Sequence, residues 1–185
     1  MLVEKCLIEY CAPTLASLKT ASLFCMPDTA ELESLEQQVL LWNSQLWEKG
    51  LFLTILCQRG EKILVYVCRS SHLQADLQKP GVARFLSDYG YKNTDLRYAV
   101  NRLAQRLEEA TCFPHEIGIF LGYPLGDVIG FIRNEGRNCK CSGPWKVYGD
   151  EYEALKTFAR FKKCREIYAR LWEQGRSIRQ LTVTA

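Results

Sequence analysis

The sequence predicts an α+β fold in which several helices pack on a mostly antiparallel sheet of about four strands, all in one domain spanning residues 1–185. Two apolar, β-branched runs, Leu51–Cys57 and Ile63–Cys68, flank a short polar turn, which is typical of a β-hairpin. Long segments with apolar residues at helical spacing lie on both sides of this hairpin. A hydrophobic content of 48% and a charged content of 24% are ordinary for a globular domain.

Composition and charge indicate a cytoplasmic protein. No apolar run approaches the roughly 18–20 residues of a membrane span, and the first residues do not resemble a secretory signal. Nine cysteines without such a signal favour free thiols in a reducing compartment. The net charge of +3 comes from residues 151–185, which hold eight Lys or Arg against four Glu. Because no exposed aromatic residues alternate with these charges, the pattern disfavours nucleic-acid binding.

The first predicted element is a helix that begins at Pro13 and runs to about Phe24. Proline suits the first position of a helix, which places Cys11 at a helix N-terminus. That position lowers the pKa of a thiol and makes it more nucleophilic. The alternative is a small buried thiol with no chemical role. Lys19, farther along this helix, is either a surface charge or a contact for an anion.

The remaining helices have recognisable ends. Asp28 or Thr29 is expected to cap a second helix that Gly50 ends. The hairpin strands that follow are almost continuously apolar, which predicts a sheet covered on both faces. After helical fragments around Lys79–Gly81 comes a helix capped by Thr94 or Asp95. The predicted elements of the C-terminal part are a short strand at Trp145–Tyr148, a helix at Glu151–Gln174 capped by Asp150, and a helical turn at Ser177–Leu181.

The central stretch, Pro114–Phe131, predicts a short strand followed by a glycine-proline break. A helix is expected to start at Pro124 and to continue beyond this stretch to about Gly136. Free backbone N–H groups at such a turn can hold an anion. The predicted ligand-binding residues for an anionic cofactor, such as a flavin or a nucleotide, are Gly122, Tyr123, Gly126, Lys19 and Lys146. The alternative is that the glycines only allow the strand and helix to pack closely.

His115 and Glu116 precede the predicted strand and suggest a second kind of chemistry. His115 is a candidate general base for Cys11, with Glu116 or Asp127 orienting the imidazole, as in a thiol-dependent hydrolase or acyltransferase. Structural roles remain open for each residue. Taken without Cys11, His115 is equally explained as an ordinary surface residue. Asp127 suits the first turn of the helix, where a carboxylate interacts favourably with the helix dipole.

Cys139 and Cys141 form a C-x-C pair in a polar loop. Two thiols are a weak metal or redox signal, because tetrahedral zinc needs about four ligands. Loop thiols with no role are the alternative.

Three segments resemble an uncharacterised family, a domain of unknown function found in small cytoplasmic proteins of anaerobic Firmicutes. They are Cys11–Phe24, His115–Phe131 and Trp145–Asp150. Tyr10 and Ser17 depart from the family's pattern, since members often carry histidine and glycine there. The resemblance implies a fold unit and a compartment but no established activity. The sequence is therefore compatible with a thiol enzyme, a module that binds an anionic small molecule, or a metal or redox protein. It also leaves open whether the ligand is a peptide and what the oligomeric state is.

Overall fold

The protein is described by a computed structural model that covers residues 2–27 and 32–184. The helices are α1 Leu2–Leu15, α2 Leu32–Leu46, α3 Ser70–Leu77, α4 Val82–Ser87, α5 Leu96–Glu109, α6 Ile117–Phe120, α7 Leu125–Arg133, α8 Glu151–Glu173 and α9 Ile178–Leu181. The strands are β1 Ala21–Pro27, β2 Leu51–Arg59, β3 Lys62–Arg69, β4 Cys141–Ser142 and β5 Lys146–Val147. In this described part of the chain, no helix is both long and apolar enough to span a membrane.

The main sheet is antiparallel and has the order β1-β3-β2. The α+β class is confirmed, and so is the hairpin, which β2 and β3 form. The sheet contains three strands and not about four. The strand predicted at Trp145–Tyr148 exists as β5, but it pairs only with β4 in a separate two-stranded hairpin.

Alternate residues of the central strand enter two different cores. Ile63, Val65 and Val67 face a first core built with α1, α2, α8 and α9. Leu64 and Tyr66 face a second core built with α3 to α7. Because side chains alternate across a strand, the almost continuous apolar run places hydrophobic groups on both faces. The prediction that both faces of the sheet are covered is confirmed.

The predicted helix from Pro13 to Phe24 is wrong. Helix α1 lies earlier and ends at Leu15, two residues after Pro13, and strand β1 follows. The carbonyl of Pro13 accepts the N–H groups of Leu18 and Lys19, which closes the helix in a tight turn. Residues 15–24 satisfy helical spacing, but β1 buries Phe24 and pairs along its full length with β3, so long-range pairing decides the structure.

Arg69 at the end of β3 fixes the C-terminus of α1. Its side chain is fully buried and donates hydrogen bonds to the carbonyls of Thr14, Leu15, Lys49 and Val183. The last carbonyls of a helix have no partner within the helix and carry negative partial charge, so a buried guanidinium satisfies and stabilises them.

Several predicted helix ends are confirmed. Asp95 accepts the N–H of Tyr98 at the start of α5, and Asp150 accepts the N–H of Glu153 at the start of α8. Gly50 has a left-handed φ of 78° after the second helix. The caps predicted at Asp28 and Thr29 lie outside the described residues.

Candidate functional site

The segment predicted as a strand at 117–121 is helical, and this correction shapes the site. Ile117–Phe120 forms α6, and the N–H of Tyr123 bonds to the carbonyl of Gly118 at 2.9 Å. Gly122 has a φ of 77°, and a Cβ added there would lie 2.5 Å from Oγ1 of Thr20. A glycine is therefore required by backbone conformation and by close packing. This observation supports the structural interpretation of Gly122.

Asp127, in the first turn of α7, is buried and anchors the β4–β5 hairpin. Its Oδ1 accepts the N–H groups of Tyr148 at 2.8 Å and Gly149 at 2.7 Å. Its Oδ2 accepts Nε1–H of Trp145 at 2.8 Å. Because both oxygens are engaged in this way, Asp127 orients the hairpin and not the imidazole of His115.

A pocket of about 380 Å³ lies between α6, α7 and this hairpin. Its lining is Phe113, His115, Ile117, Gly118, Leu121, Tyr123, Asp127, Val128, Phe131, Ser142, Gly143, Pro144, Trp145 and Lys146. Four residues predicted for a site therefore meet here: His115, Tyr123, Asp127 and Lys146. Gly122 and Gly126 are not part of the lining, so the glycine turn frames the pocket from outside.

The aromatic side chains of the pocket are fixed by contacts with one another. The rings of Tyr123 and Trp145 stack with centroids 4.9 Å apart, and Phe158 supports Trp145 edge-on at 4.6 Å. The His115 ring meets Phe131 edge-on at 5.0 Å. Such geometries are the favoured arrangements of aromatic pairs. The pocket thus has an aromatic wall at Tyr123 and Trp145 and a histidine beside Phe131.

Lys146 and His115 both lie beside Phe131, on one side of the pocket. Nζ of Lys146 is 6.0 Å from the Phe131 ring and donates to the carbonyl of Gly136 at 2.6 Å. The ammonium group has three N–H donors, so further donors remain for a ligand. The side chain of His115 is exposed. The Asp127 carboxylate, which also lines the pocket, accepts three N–H groups of the hairpin, and Lys146 and His115 supply the hydrogen-bond donors for a negative group.

Lys19 lies behind the aromatic wall. Its Nζ is 5.5 Å from the ring centroid of Tyr123, an arrangement typical of a cation–π contact. Burial is the main cause that lowers the pKa of Lys19 to about 8, and nearby Arg165 contributes in the same direction. Burial also raises the pKa of Tyr123 to about 12, so the phenol that Lys19 faces is neutral at physiological pH.

Cys11 occupies surroundings that do not suit a nucleophile. It lies inside α1 and not at a helix N-terminus, and its side chain is 0% exposed in the first core. Burial raises its pKa far above that of a free thiol, because a thiolate would lose its hydration. His115 lies beyond the opposite face of the sheet, beside the second core, so the structure does not bring the two groups together.

Glu116 points into a different cluster from its neighbour His115. Its side chain is 1% exposed and forms an ion pair with Nε of Arg106, while the hydroxyl of Tyr91 lies 3.5 Å from Oε1. Its other oxygen has no hydrogen-bond partner among the described residues. The sequence gives no indication of this ion pair, because a partner 10 residues away has no signature in helical spacing.

Cys139 and Cys141 lie half-buried in and beside the β4–β5 hairpin. Within residues 2–27 and 32–184, no group of three or more His, Cys, Asp or Glu side chains is placed to hold a metal ion. Two thiols without further ligands do not complete a tetrahedral site.

Phe113, Phe131 and Trp145 are pocket residues that sequence reasoning did not select. The sequence pattern predicts only a strand at Trp145 and only a helix at Phe131. The sequence signal for these residues is the recurrence of aromatic side chains on both sides of the Gly-Pro turn. Their placement in one pocket, however, depends on the long-range hydrogen bonds of Asp127.

Comparison of the sequence with models of protein families identifies the family of the chain. The family model described as a protein of unknown function, DUF3793, matches residues 7–182. The chain belongs to the DUF3793 family. The match includes Cys11 and all residues that line the pocket, and it confirms the resemblance to a domain of unknown function. No curated protein and no solved structure matches this DUF3793 chain.

Proposed function

We propose that this DUF3793 chain is a binding module for a planar, negatively charged small molecule of the flavin or nucleotide class. The observation that carries the proposal is a pocket of about 380 Å³ in which a stacked aromatic pair meets the side chains of Lys146 and His115. Small-molecule sites typically measure about 300–1,000 Å³ and combine apolar walls with a few polar groups.

The aromatic wall suits a flat heterocycle. Tyr123 and Trp145 are held by their mutual stacking, by Phe158 and by the bond from Trp145 to Asp127. Aromatic faces bind every base by stacking, which contributes about 1–3 kcal/mol for a nucleobase. A wall that is already ordered loses little conformational entropy when a ring binds.

The opposite side of the pocket suits a phosphate or carboxylate. Lys146 and His115 both lie next to Phe131, so a bound ring at the aromatic wall would direct an anionic substituent toward them. A hydrogen bond between charged groups contributes about 1.5–3 kcal/mol. This combination favours a mononucleotide or a flavin phosphate over a neutral ring.

The proposal is tested with ligands that separate the ring from the charge. FMN and AMP should bind, measured by equilibrium dialysis at physiological salt, and riboflavin should bind about tenfold more weakly than FMN because it lacks the phosphate. Inorganic phosphate alone should compete only at much higher concentration. Failure of both FMN and AMP to bind below about 1 mM would exclude this ligand class.

The two histidines provide a matched pair for the same experiment. His115→Ala should weaken FMN binding, whereas His72→Ala should leave it unchanged, since His72 lies near Ser17 and outside the pocket. Equal losses in both variants would show that the effect comes from general destabilisation.

A cytoplasmic location is also part of the proposal. All nine cysteines, each within the described residues, are free thiols. Such a set is typical of a reducing compartment. The buried environment of Cys11 gives no support to the alternative of a thiol-dependent hydrolase or acyltransferase.

A further inference from the structure

An apolar patch on the outer face of α2 has no partner within the described chain. We define this α2 patch by Leu40, Leu41 and Trp47, whose exposed fractions are 68%, 56% and 66%. Leu40 lies on one face of α2 with the exposed Glu36, because these positions differ by four residues, and Trp47 follows in the 3₁₀ turn Trp47–Lys49 after α2. The helix contains two glutamates and no lysine or arginine. The patch is thus hydrophobic with an acidic end.

A complementary groove lies between α4 and α7. It has a volume of about 620 Å³, and its floor includes Phe85, Leu125, Ile129 and Ile132. The three α7 residues follow helical spacing along one face, and each remains partly exposed. We call this the α4–α7 groove. Its open, elongated apolar floor suits a helix face with anchors at similar spacing.

The charged rim of the groove is basic. Arg84 and Arg133 are exposed, and no ion pair is found for either among the described residues, while Asp88 is the acidic group of the lining. Tyr89, also in the lining, carries the guanidinium of Arg106 over its ring at 5.5 Å. The groove therefore presents more positive than negative charge to an occupant.

We infer that the α2 patch of one copy docks into the α4–α7 groove of a second copy of this chain. The apolar anchors of the patch match the apolar floor, and Glu36 matches the arginine rim. Charge complementarity of this kind selects the partner and its orientation. The two surfaces belong to different layers, since α2 packs in the first core and α4 and α7 pack in the second.

This separation determines the kind of assembly. A contact between two different surfaces is heterologous, and it builds a ring or an open chain of copies instead of a two-fold dimer. Each copy in the interior of such an assembly uses both of its surfaces. A copy with one damaged surface can still use the other.

Complementation between variants tests this arrangement. Analytical ultracentrifugation of the wild-type protein should show an average mass that exceeds twice the 21.3 kDa monomer as concentration rises. Leu40→Asp and Ile129→Asp should each be monomeric. An equimolar mixture of the two should form a 1:1 dimer, since one intact patch and one intact groove remain. Leu155→Asp, at another leucine that is 50% exposed, should assemble like the wild type.

A pair of variants with exchanged charges controls for misfolding. Arg133→Glu should weaken assembly without changing the core, because Arg133 is exposed, and mixing it with Glu36→Arg should restore part of the association. A wild-type protein that remains monomeric at all concentrations would overturn the inference. So would a mixture of Leu40→Asp and Ile129→Asp that stays monomeric while both variants keep the wild-type circular dichroism, or a Leu40→Asp protein that still assembles.

Discussion

The region around Cys11 and the region around His115 each contain a group that sequence reasoning selected for reactivity, but their surroundings are opposite. Cys11 is enclosed by the first core, and burial raises its pKa. His115 is exposed at a pocket whose aromatic and cationic groups have room for a ligand. A reactive residue type therefore indicates a site only when the fold gives it access and charged neighbours.

Lys19 connects the two regions. Its N–H donates to the carbonyl of Pro13 in the turn that ends the Cys11 helix, and its Nζ faces the ring of Tyr123. The core side supplies rigidity, since Arg69 fixes the end of α1 before Lys19. The pocket side supplies the surface that a ligand would use. Variants on each side should therefore separate stability from binding.

Arg69→Met should produce the largest effect, on the core side. The substitution leaves the buried carbonyls of Thr14 and Leu15 without their donor, and we expect the free energy of unfolding to fall by about 4 kcal/mol. Urea denaturation followed by circular dichroism measures this. Arg84→Met, at an exposed position, should change stability by less than about 0.5 kcal/mol. Similar losses in both variants would mean that Arg69 has no special role.

Thiol reactivity should differ by at least about a hundredfold between core and surface. Cys25 and Cys112 are exposed, whereas Cys11 is buried with a raised pKa, and only the thiolate attacks an alkylating agent. Brief, dilute iodoacetamide followed by mass spectrometry at several pH values gives the rate at each site. Rapid modification of Cys11 below pH 8, lost in His115→Ala, would contradict the account and revive the thiol-enzyme hypothesis.

Asp127→Asn should affect the pocket side by about 2 kcal/mol. The amide retains one acceptor oxygen but presents N–H donors where Trp145 or the backbone of Tyr148 and Gly149 also donates. The hairpin should loosen, and FMN binding should fall together with stability. Urea denaturation and dialysis measure the two effects. Asp88→Asn, on the exposed surface, is the control; unchanged binding in Asp127→Asn would show that the hairpin anchor is dispensable.

Lys19→Met should give the smallest effect, and its sign depends on pH. The folded pKa of about 8 lies below the ordinary lysine value of 10.5, so between these values the unfolded chain binds more protons and wild-type stability rises with pH. The methionine variant should therefore be more stable than the wild type below pH 8, by less than about 1 kcal/mol because solvent screens this half-buried charge. The difference should disappear toward pH 10.5. A difference independent of pH, or one matched by exposed Lys92→Met, would exclude this origin.

Local chemistry allowed part of this fold to be predicted from the sequence. The β2–β3 hairpin, the caps at Asp95 and Asp150 and the helical turn at Ser177–Leu181 depend on neighbouring residues, and all were found. Ile117–Phe120 could not be assigned correctly because a four-residue apolar run satisfies both strand and helix. Tyr66, from a distant strand, bonds to the carbonyl of Phe120 at 2.6 Å and helps to fix this turn of helix.

The candidate site shows the same division. Tyr123, Lys146 and His115 were selected by residue type, and they do line one pocket. The aromatic wall could not be predicted because Trp145 is positioned by Asp127, 18 residues earlier in the chain. The placement of Cys11 failed because pairing between β1 and β3 overrode the helical pattern of residues 15–24.

The central claim is that ligand binding depends on the pocket and not on the core, and two lysines of the β4–β5 region test it most directly. Nζ of Lys146 and Nζ of Lys140 each donate to a backbone carbonyl, but only Lys146 lines the pocket. Dissociation constants for FMN should be measured with wild type, Lys146→Ala and Lys140→Ala under one condition. We expect about a tenfold loss for Lys146→Ala and no change for Lys140→Ala. Equal affinities in all three proteins would contradict the claim.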